Sequence, residues 1–201
     1  PWLTDKLSNL KPFMALEDKG IFYARTGYTG EDGLEIILPC VEAVSWWNLL
    51  LEHNVTPCGL AARDTLRLEA GMNLYGHDMD ETTSPSECNM DWVVDLNDVA
   101  RDFIGRAAYQ KLKIVGAKFR QVGLVLHGRG VLREGQKIIQ DGYEIGIITS
   151  GTFSPTLKMS IAMAKISANF NKTTAHVDIR GNLELVELVK LPFVRNGEKL
   201  F

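Results

Sequence analysis

From Arg120 onward the chain breaks into short β-prone runs separated by turn signals. No other feature restricts the fold as much. The runs are Arg120–Leu126, Gln136–Ile139, Tyr143–Thr149, Ile161–Ile166, Thr174–Ile179 and Leu183–Val189. Between them stand Gly128-Arg129-Gly130, Asp141-Gly142, Ser154-Pro155 and Gly181-Asn182. Short strands at this spacing, with no helical pattern between them, point to a sandwich or a barrel rather than to βαβ units. Asp141-Gly142 and Gly181-Asn182 are hairpin signals, because such pairs accept the positive φ of a tight turn.

The part before Val115-Gly116-Ala117-Lys118, which we read as a domain joint, has a mixed texture. Residues 1–13 predict a short helix capped by Thr4 and ended before Lys11-Pro12. Ile21–Thr26 and Leu34–Leu38 read as two strands of a hairpin, with Asp32-Gly33 as turn dipeptide and Pro39 ending the ladder. Period two puts Leu34, Ile36 and Leu38 on one face, Glu35 and Ile37 on the other. Val44, Trp47, Leu50 and Leu51 recur at helical spacing within Val41–His53, and Asn54 is a stop. Trp46-Trp47 reads as one core residue and one half-exposed neighbour. Gly59–Gly71 predicts a helix with Ala62, Leu66 and Ala70 on one face and Arg63 and Arg67 on another. Residues 72–89 form a polar loop, long enough to be functional or disordered. Asp102 or Gly105 opens a short helix over Arg106–Lys113.

Composition narrows the function classes. The chain has 201 residues, 45% hydrophobic and 23% charged, enough to bury a core without staples. A net charge of -3 and the lack of a basic stripe argue against nucleic-acid binding. Cys40, Cys58 and Cys88 are far apart and odd in number, so they read as buried or free thiols in a reducing compartment. His53, His77, His127 and His176 lack metal-ligand spacing. Asp78, Asp80 and Glu81 are out of register with a calcium loop. No run is apolar and long enough to span a membrane. The chain opens at Pro1-Trp2 without an initiator methionine, so we expect a piece of a longer protein.

The stretch Arg25-Thr26-Gly27-Tyr28-Thr29-Gly30-Glu31-Asp32-Gly33-Leu34-Glu35 carries the chemistry. Its three glycines are not a dinucleotide fingerprint, since a strand rather than a helix follows. They serve equally as turn formers or as openings that let a flat ligand approach the backbone. In the second case Tyr28 offers a stacking face, and Glu35 offers two acceptor oxygens for a guanidine-like edge such as that of a pterin. Arg63 and Arg67 lie on a solvated face, or one of them is aimed at a carboxylate. No nucleophile elbow and no triad spacing occurs. From the residues alone this is a two-part protein with a small-molecule rim and no assigned reaction.

Several motifs together resemble one family. T-G-Y-T-G-E-D-G-L-E at 26–35, P-C-G-L-A-A-R-D-T-L-R-L-E-A-G-M-N-L-Y-G at 57–76, D-F-I-G-R at 102–106, I-T-S-G-T-F-S-P-T-L at 148–157 and P-F-V-R at 192–195 are similar to the aminomethyltransferase (T-protein) family of the glycine cleavage system. The likeness runs over nearly the whole chain and corresponds to the C-terminal half of such proteins. It implies an α+β fold, with residues 1–113 ending a folate-binding α/β region and residues 114–201 forming an antiparallel β-barrel. It implies transfer of a one-carbon unit from the aminomethyl-lipoyl arm of the H-protein to tetrahydrofolate. The products are 5,10-methylenetetrahydrofolate, ammonia and the dihydrolipoyl carrier. The implied partners are the lipoylated H-protein and, indirectly, the P- and L-proteins, with no nucleic acid and no membrane. The implied location is the bacterial cytoplasm or the mitochondrial matrix.

By the same resemblance, Glu35 holds the pterin edge, Tyr28 lies beside the pterin, and Arg63 belongs to the folate site with Arg67 as its neighbour. Arg195 falls near a position that closes the site, although Asn196-Gly197-Glu198-Lys199 stands where some members carry a tyrosine. The family's essential aspartate belongs to the N-terminal half, so no catalytic residue is expected in this chain. Two other readings share the fold: the folate-binding tail of a sarcosine or dimethylglycine dehydrogenase, and a non-catalytic folate-binding module. A third relative, the folate-dependent iron–sulfur maturation protein, carries a cysteine motif where this chain has Arg101–Arg106.

Overall fold

A computed structural model describes residues 6–201, and the expected Thr4 cap lies outside the described residues. The chain divides into two compact units, Pro1–Leu66 and Arg67–Phe201.

The first unit contains an antiparallel sheet of β1 (Ala15–Asp18), β2 (Ile21–Ala24) and β3 (Glu35–Ile37) in sequential order. Ala24 faces Glu35 and Phe22 faces Ile37, so the expected hairpin exists. Its alternation holds from Glu35 on, with Ile36 and Leu38 half-buried and Glu35 and Ile37 exposed, while Leu34 lies ahead of the strand and is exposed. Two further details differ from expectation. β1 was not anticipated, because only four residues carry it and its burial alternates between exposed and half-buried. Its turn to β2 is Lys19-Gly20, both at positive φ (51° and 78°), which suits a tight hairpin. The second difference concerns Asp32-Gly33. Neither residue takes positive φ; Gly30 does, at 76°, and β2 and β3 are joined by a long loop rather than a tight turn.

Pro39 ends the ladder and leads through a 3₁₀ turn (Cys40–Glu42) into α1 (Ala43–Glu52). Trp46 is half-buried with its ring 6.2 Å from that of Tyr23, and Trp47 is 54% exposed; the core residue expected of that pair is corrected to a half-buried one, because no residue of α1 is buried. Asn54, at φ 61°, stops the helix. The division between the units falls inside α2 (Leu60–Glu69). Gly71, at φ 67°, ends α2, and a Cβ there would meet Leu191 and Pro192 at 3.1 Å.

In the second unit the loop after α2 is ordered around a bridge between Tyr75 and Met79 and a 3₁₀ turn (Pro85–Glu87) with a capping box from Ser84 and Glu87. Gly105, at φ 92°, opens α3 (Arg106–Val115). All six predicted strands follow: β4 (Phe119–Leu126), β5 (Lys137–Gln140), β6 (Tyr143–Ser154), β7 (Met159–Ser167), β8 (Thr174–Ile179) and β9 (Asn182–Val189). They close into an antiparallel barrel in the order β4-β7-β6-β5-β8-β9. Of the two architectures left open by the sequence, the barrel is the one formed. Asp141-Gly142 makes the β5–β6 turn with both φ positive. The β8–β9 turn is Arg180-Gly181 rather than Gly181-Asn182, because Asn182 already pairs with Ile179.

The barrel interior is filled with side chains, among them Val122, Leu124, Leu126, Ile138, Ile148 and Val177. β4 is buried on both faces. Val122, Leu124 and Leu126 point inward, and Val125 joins Leu68, Ile161, Met163 and Phe193 in a second core outside the wall. The short hairpin of β10 (Val194–Arg195) and β11 (Glu198–Lys199) follows that outer core.

Candidate functional site

The glycine-rich loop between β2 and β3 is tied at both ends. Arg25 forms a two-pronged pair with Asp32, with Nε at 2.8 Å from Oδ1 and Nη2 at 2.7 Å from Oδ2. Its third arm donates to the Leu10 carbonyl at 2.6 Å. The hydrogen bond from Arg25 holds the Asp32 carboxyl below the usual carboxylate range. One residue further in, the Thr26 hydroxyl donates to Oε2 of Glu35. Thr26 therefore orients the Glu35 carboxylate at the start of β3, on the exposed face. Two residues on, Tyr28 lies under the Arg63 guanidinium, 4.4 Å from ring centroid to Cζ, a cation–π contact.

Three of the four expected site residues, Tyr28, Glu35 and Arg63, thus belong to the first unit, and two of them touch. Arg195 belongs to the second unit. It is exposed on β10, opposite Glu198 in the hairpin turned by Asn196-Gly197.

The two arginines of α2 have different environments although they lie one helical turn apart. Arg63 is exposed, whereas Arg67 is 2% exposed. Arg67 donates to Oδ2 of Asp78 at 2.7 Å, to the Ser150 hydroxyl at 2.9 Å and to the Met72 carbonyl at 3.2 Å. Asp78 also accepts from Thr149 at 2.5 Å, Ser150 at 2.8 Å and the Leu74 amide at 2.9 Å. Of the two readings left open for this pair, the solvated face holds for Arg63 and the carboxylate partner for Arg67. Its guanidinium is aimed at a carboxylate of its own chain, and every oxygen of that carboxylate is satisfied. Such a network binds the 72–79 loop to the barrel. Glu69, 3% exposed, does the same for the β6–β7 turn by accepting from Ser154 at 2.5 Å and Thr156 at 2.9 Å.

Sequence reasoning missed Arg25, Asp32, Thr26 and Asp78 as organising residues. A signal existed for the first pair, since opposite charges bracket the glycine loop on either side. None existed for Asp78, whose partners come from distant stretches. Of the thiols, Cys40 and Cys58 are free and exposed, and Cys88 is buried, which pushes its pKa up. Among the described residues no cluster fit to hold a metal ion occurs, and no helix is long and apolar enough to cross a membrane.

Comparison with known proteins identifies the family. Residues 12–98 match the profile of the GCVT N-terminal domain, and residues 120–195 match that of the glycine cleavage T-protein C-terminal barrel domain. Aminomethyltransferase of Chromobacterium violaceum is 56% identical over all of this chain. That of Neisseria meningitidis is 53% identical, again over all of it. The chain belongs to the glycine cleavage T-protein family. The crystal structure of glycine cleavage system aminomethyltransferase T from Bartonella henselae has a TM-score of 0.86 and 34% identity over 96% of this chain. The chain spans about 55% of the length of the two curated T-protein relatives and 56% of the Bartonella chain. It corresponds to their C-terminal half.

Proposed function

We propose that this chain is the folate-anchoring and barrel portion of an aminomethyltransferase of the glycine cleavage system. The whole enzyme moves the one-carbon unit from the aminomethyl-lipoyl arm of the H-protein to tetrahydrofolate, forming 5,10-methylenetetrahydrofolate, ammonia and the dihydrolipoyl carrier. Residues 1–113 belong to the folate-binding region and residues 114–201 to the barrel domain. The H-protein is the direct partner, and the P- and L-proteins act through it.

The observation that carries the reading is the oriented Glu35 carboxylate beside the loop that stacks Tyr28 on Arg63. In this reading Glu35 accepts N–H bonds from the pterin edge. One oxygen already receives Thr26, which fixes the plane, and each carboxylate oxygen has room for a second donor. Tyr28 and Arg63 present an aromatic face and a cation to the folate, and Arg195 is assigned to folate binding by the family resemblance alone. The donor set therefore suits a flat, donor-edged, anionic molecule. None of these groups reacts. Their work is to hold N5 of the folate against the carbon to be transferred. The aspartate that assists the amine belongs to the N-terminal part of the family's members, so this chain by itself is expected not to turn over.

Calorimetric titration of the full-length enzyme with tetrahydrofolate tests the reading. Glu35→Gln is expected to weaken binding by about 10- to 100-fold, the worth of a lost charge-assisted pair. Unchanged affinity would remove Glu35 from the site. An assay with lipoylated H-protein then separates an aminomethyltransferase from a folate-binding module without turnover.

A further inference from the structure

The glycine-rich loop that carries Tyr28 has little backbone support. Among the described residues, Thr26 to Leu34 make no backbone–backbone hydrogen bond, and pairing of β2 with β3 stops at Ala24 and Glu35. Three residues of the loop are glycine, which loses more freedom on ordering than any other residue. Side chains must therefore give the loop its shape.

Arg25 does most of this. Its amide donates to the Met14 carbonyl and its carbonyl accepts from the Phe13 amide, both at 2.9 Å, so its backbone continues the β1–β2 pairing. Nη1 donates to the Leu10 carbonyl at 2.6 Å, while Nε and Nη2 hold the two oxygens of Asp32 at 2.8 and 2.7 Å. The Arg25 side chain is 28% exposed and that of Asp32 is 68% exposed. A pair this open adds little to folding stability. Its planar fork, with every arm occupied, fixes direction instead. The pair ties the neck of the loop, so the segment that carries Tyr28 shortens from 25–34 to 26–31, and a shorter loop has less freedom. Thr26, next to Arg25, donates to Glu35, three residues beyond Asp32. The two ties overlap along the chain, so loosening one disturbs the residues that hold the other.

We propose that Arg25 and Asp32 are positioning residues for the ligand of this loop. Their pair keeps Tyr28 against Arg63 and the Glu35 carboxylate in its plane before the ligand arrives. Neither residue is assigned a contact with the ligand, and the identity of that ligand rests on the folate reading. Loss of the pair lowers the fraction of molecules in the competent shape, and the apparent affinity falls by that fraction.

The test uses the full-length enzyme, labelled with 15N at glycine, with Asp32→Asn, Arg25→Lys and the double variant. Asp32→Asn removes the charge, and Arg25→Lys keeps the charge but lacks the fork. The amides of Gly27, Gly30 and Gly33 report on the loop. Their order parameters should fall from about 0.85 to below about 0.6 in each variant. Calorimetry with tetrahydrofolate should show affinity lower by about fivefold, the upper end for an exposed pair. In the assay with lipoylated H-protein, KM for tetrahydrofolate should rise by the same factor with kcat unchanged. The double variant should bind no more weakly than either single one, because all three lose the same interaction. A merely structural pair would lower Tm and leave KM alone, whereas here Tm should move by no more than about 4 °C. Glycine order parameters that do not change overturn the proposal. So does full affinity in Asp32→Asn where Glu35→Gln weakens binding. Failure of the folate reading looks different, because affinity then survives Glu35→Gln, and the glycine order parameters still decide whether the pair shapes the loop.

Discussion

Arg63 and Arg67 illustrate how one residue type takes two roles within a single helical turn. Arg67 is buried against Asp78, Ser150 and the Met72 carbonyl. Removing it leaves a fully buried carboxylate without its counter-charge, so Arg67→Ala is expected to destabilise the second unit by about 3–5 kcal/mol. Asp78→Ala should cost a similar amount by stranding the guanidinium. Arg63 is exposed and stacks on Tyr28, so Arg63→Ala should change stability by no more than about 0.5 kcal/mol. Urea unfolding of the three variants checks the contrast, and equal losses for Arg63 and Arg67 would contradict it.

At the level of elements, the barrel leaves no room at certain backbone crossings. A Cβ on Gly151 would sit 2.5 Å from the Leu132 carbonyl oxygen, and backbone cannot swing away as a side chain can. Gly151→Ala should therefore cost about 1–3 kcal/mol, read as a lowered midpoint of unfolding. The segment between the 3₁₀ turn and α3 depends instead on a polar knot. Asp91 accepts from the Ser86 and Tyr109 hydroxyls and pairs with Lys113 at 3.3 Å. Burial raises the Asp91 pKa, but these three donors together outweigh it and hold the carboxyl below its ordinary value. A depressed folded pKa means that the stabilisation is complete above the unfolded carboxyl value of about 3.9. It is lost as pH falls through the folded value. Asp91→Asn should thus flatten the acid limb of a Tm–pH profile below about pH 4 and lower Tm at neutral pH. An unchanged acid limb would show that the knot contributes nothing to the pH dependence.

Across the whole molecule, burial is uneven. In the first unit the buried apolar residues among those described are Ile21 and Tyr23, while the second holds two dense cores around β4. Opening free energy follows buried contact, so amides of β4–β9 should exchange at least about a hundredfold more slowly than those of α1 and β1–β3. Hydrogen exchange followed by mass spectrometry reads this directly. Equal protection in the two units would mean that the first is held by something other than its own core.

Local grammar was enough for much of this. All six barrel strands, the α1 stop at Asn54 and the Gly71 stop of α2 follow from side-chain period and turn chemistry, which act within a few residues. The motifs at Thr26–Glu35 and Pro57–Gly76 were enough to reach the family. Choices that depend on distant partners could not be read in this way. Closure of the barrel requires β4 to pair with β9, and nothing inside either strand announces it. Asp78 and Ser150 bury Arg67 and leave Arg63 in water, although both arginines look alike on a helical wheel. The turn at Arg180-Gly181 slipped one residue because pairing of Ile179 with Asn182 satisfies the ladder. Period and turn preference are properties of a short stretch of chain. Burial, charge pairing and closure belong to whichever stretches the tertiary fold brings together.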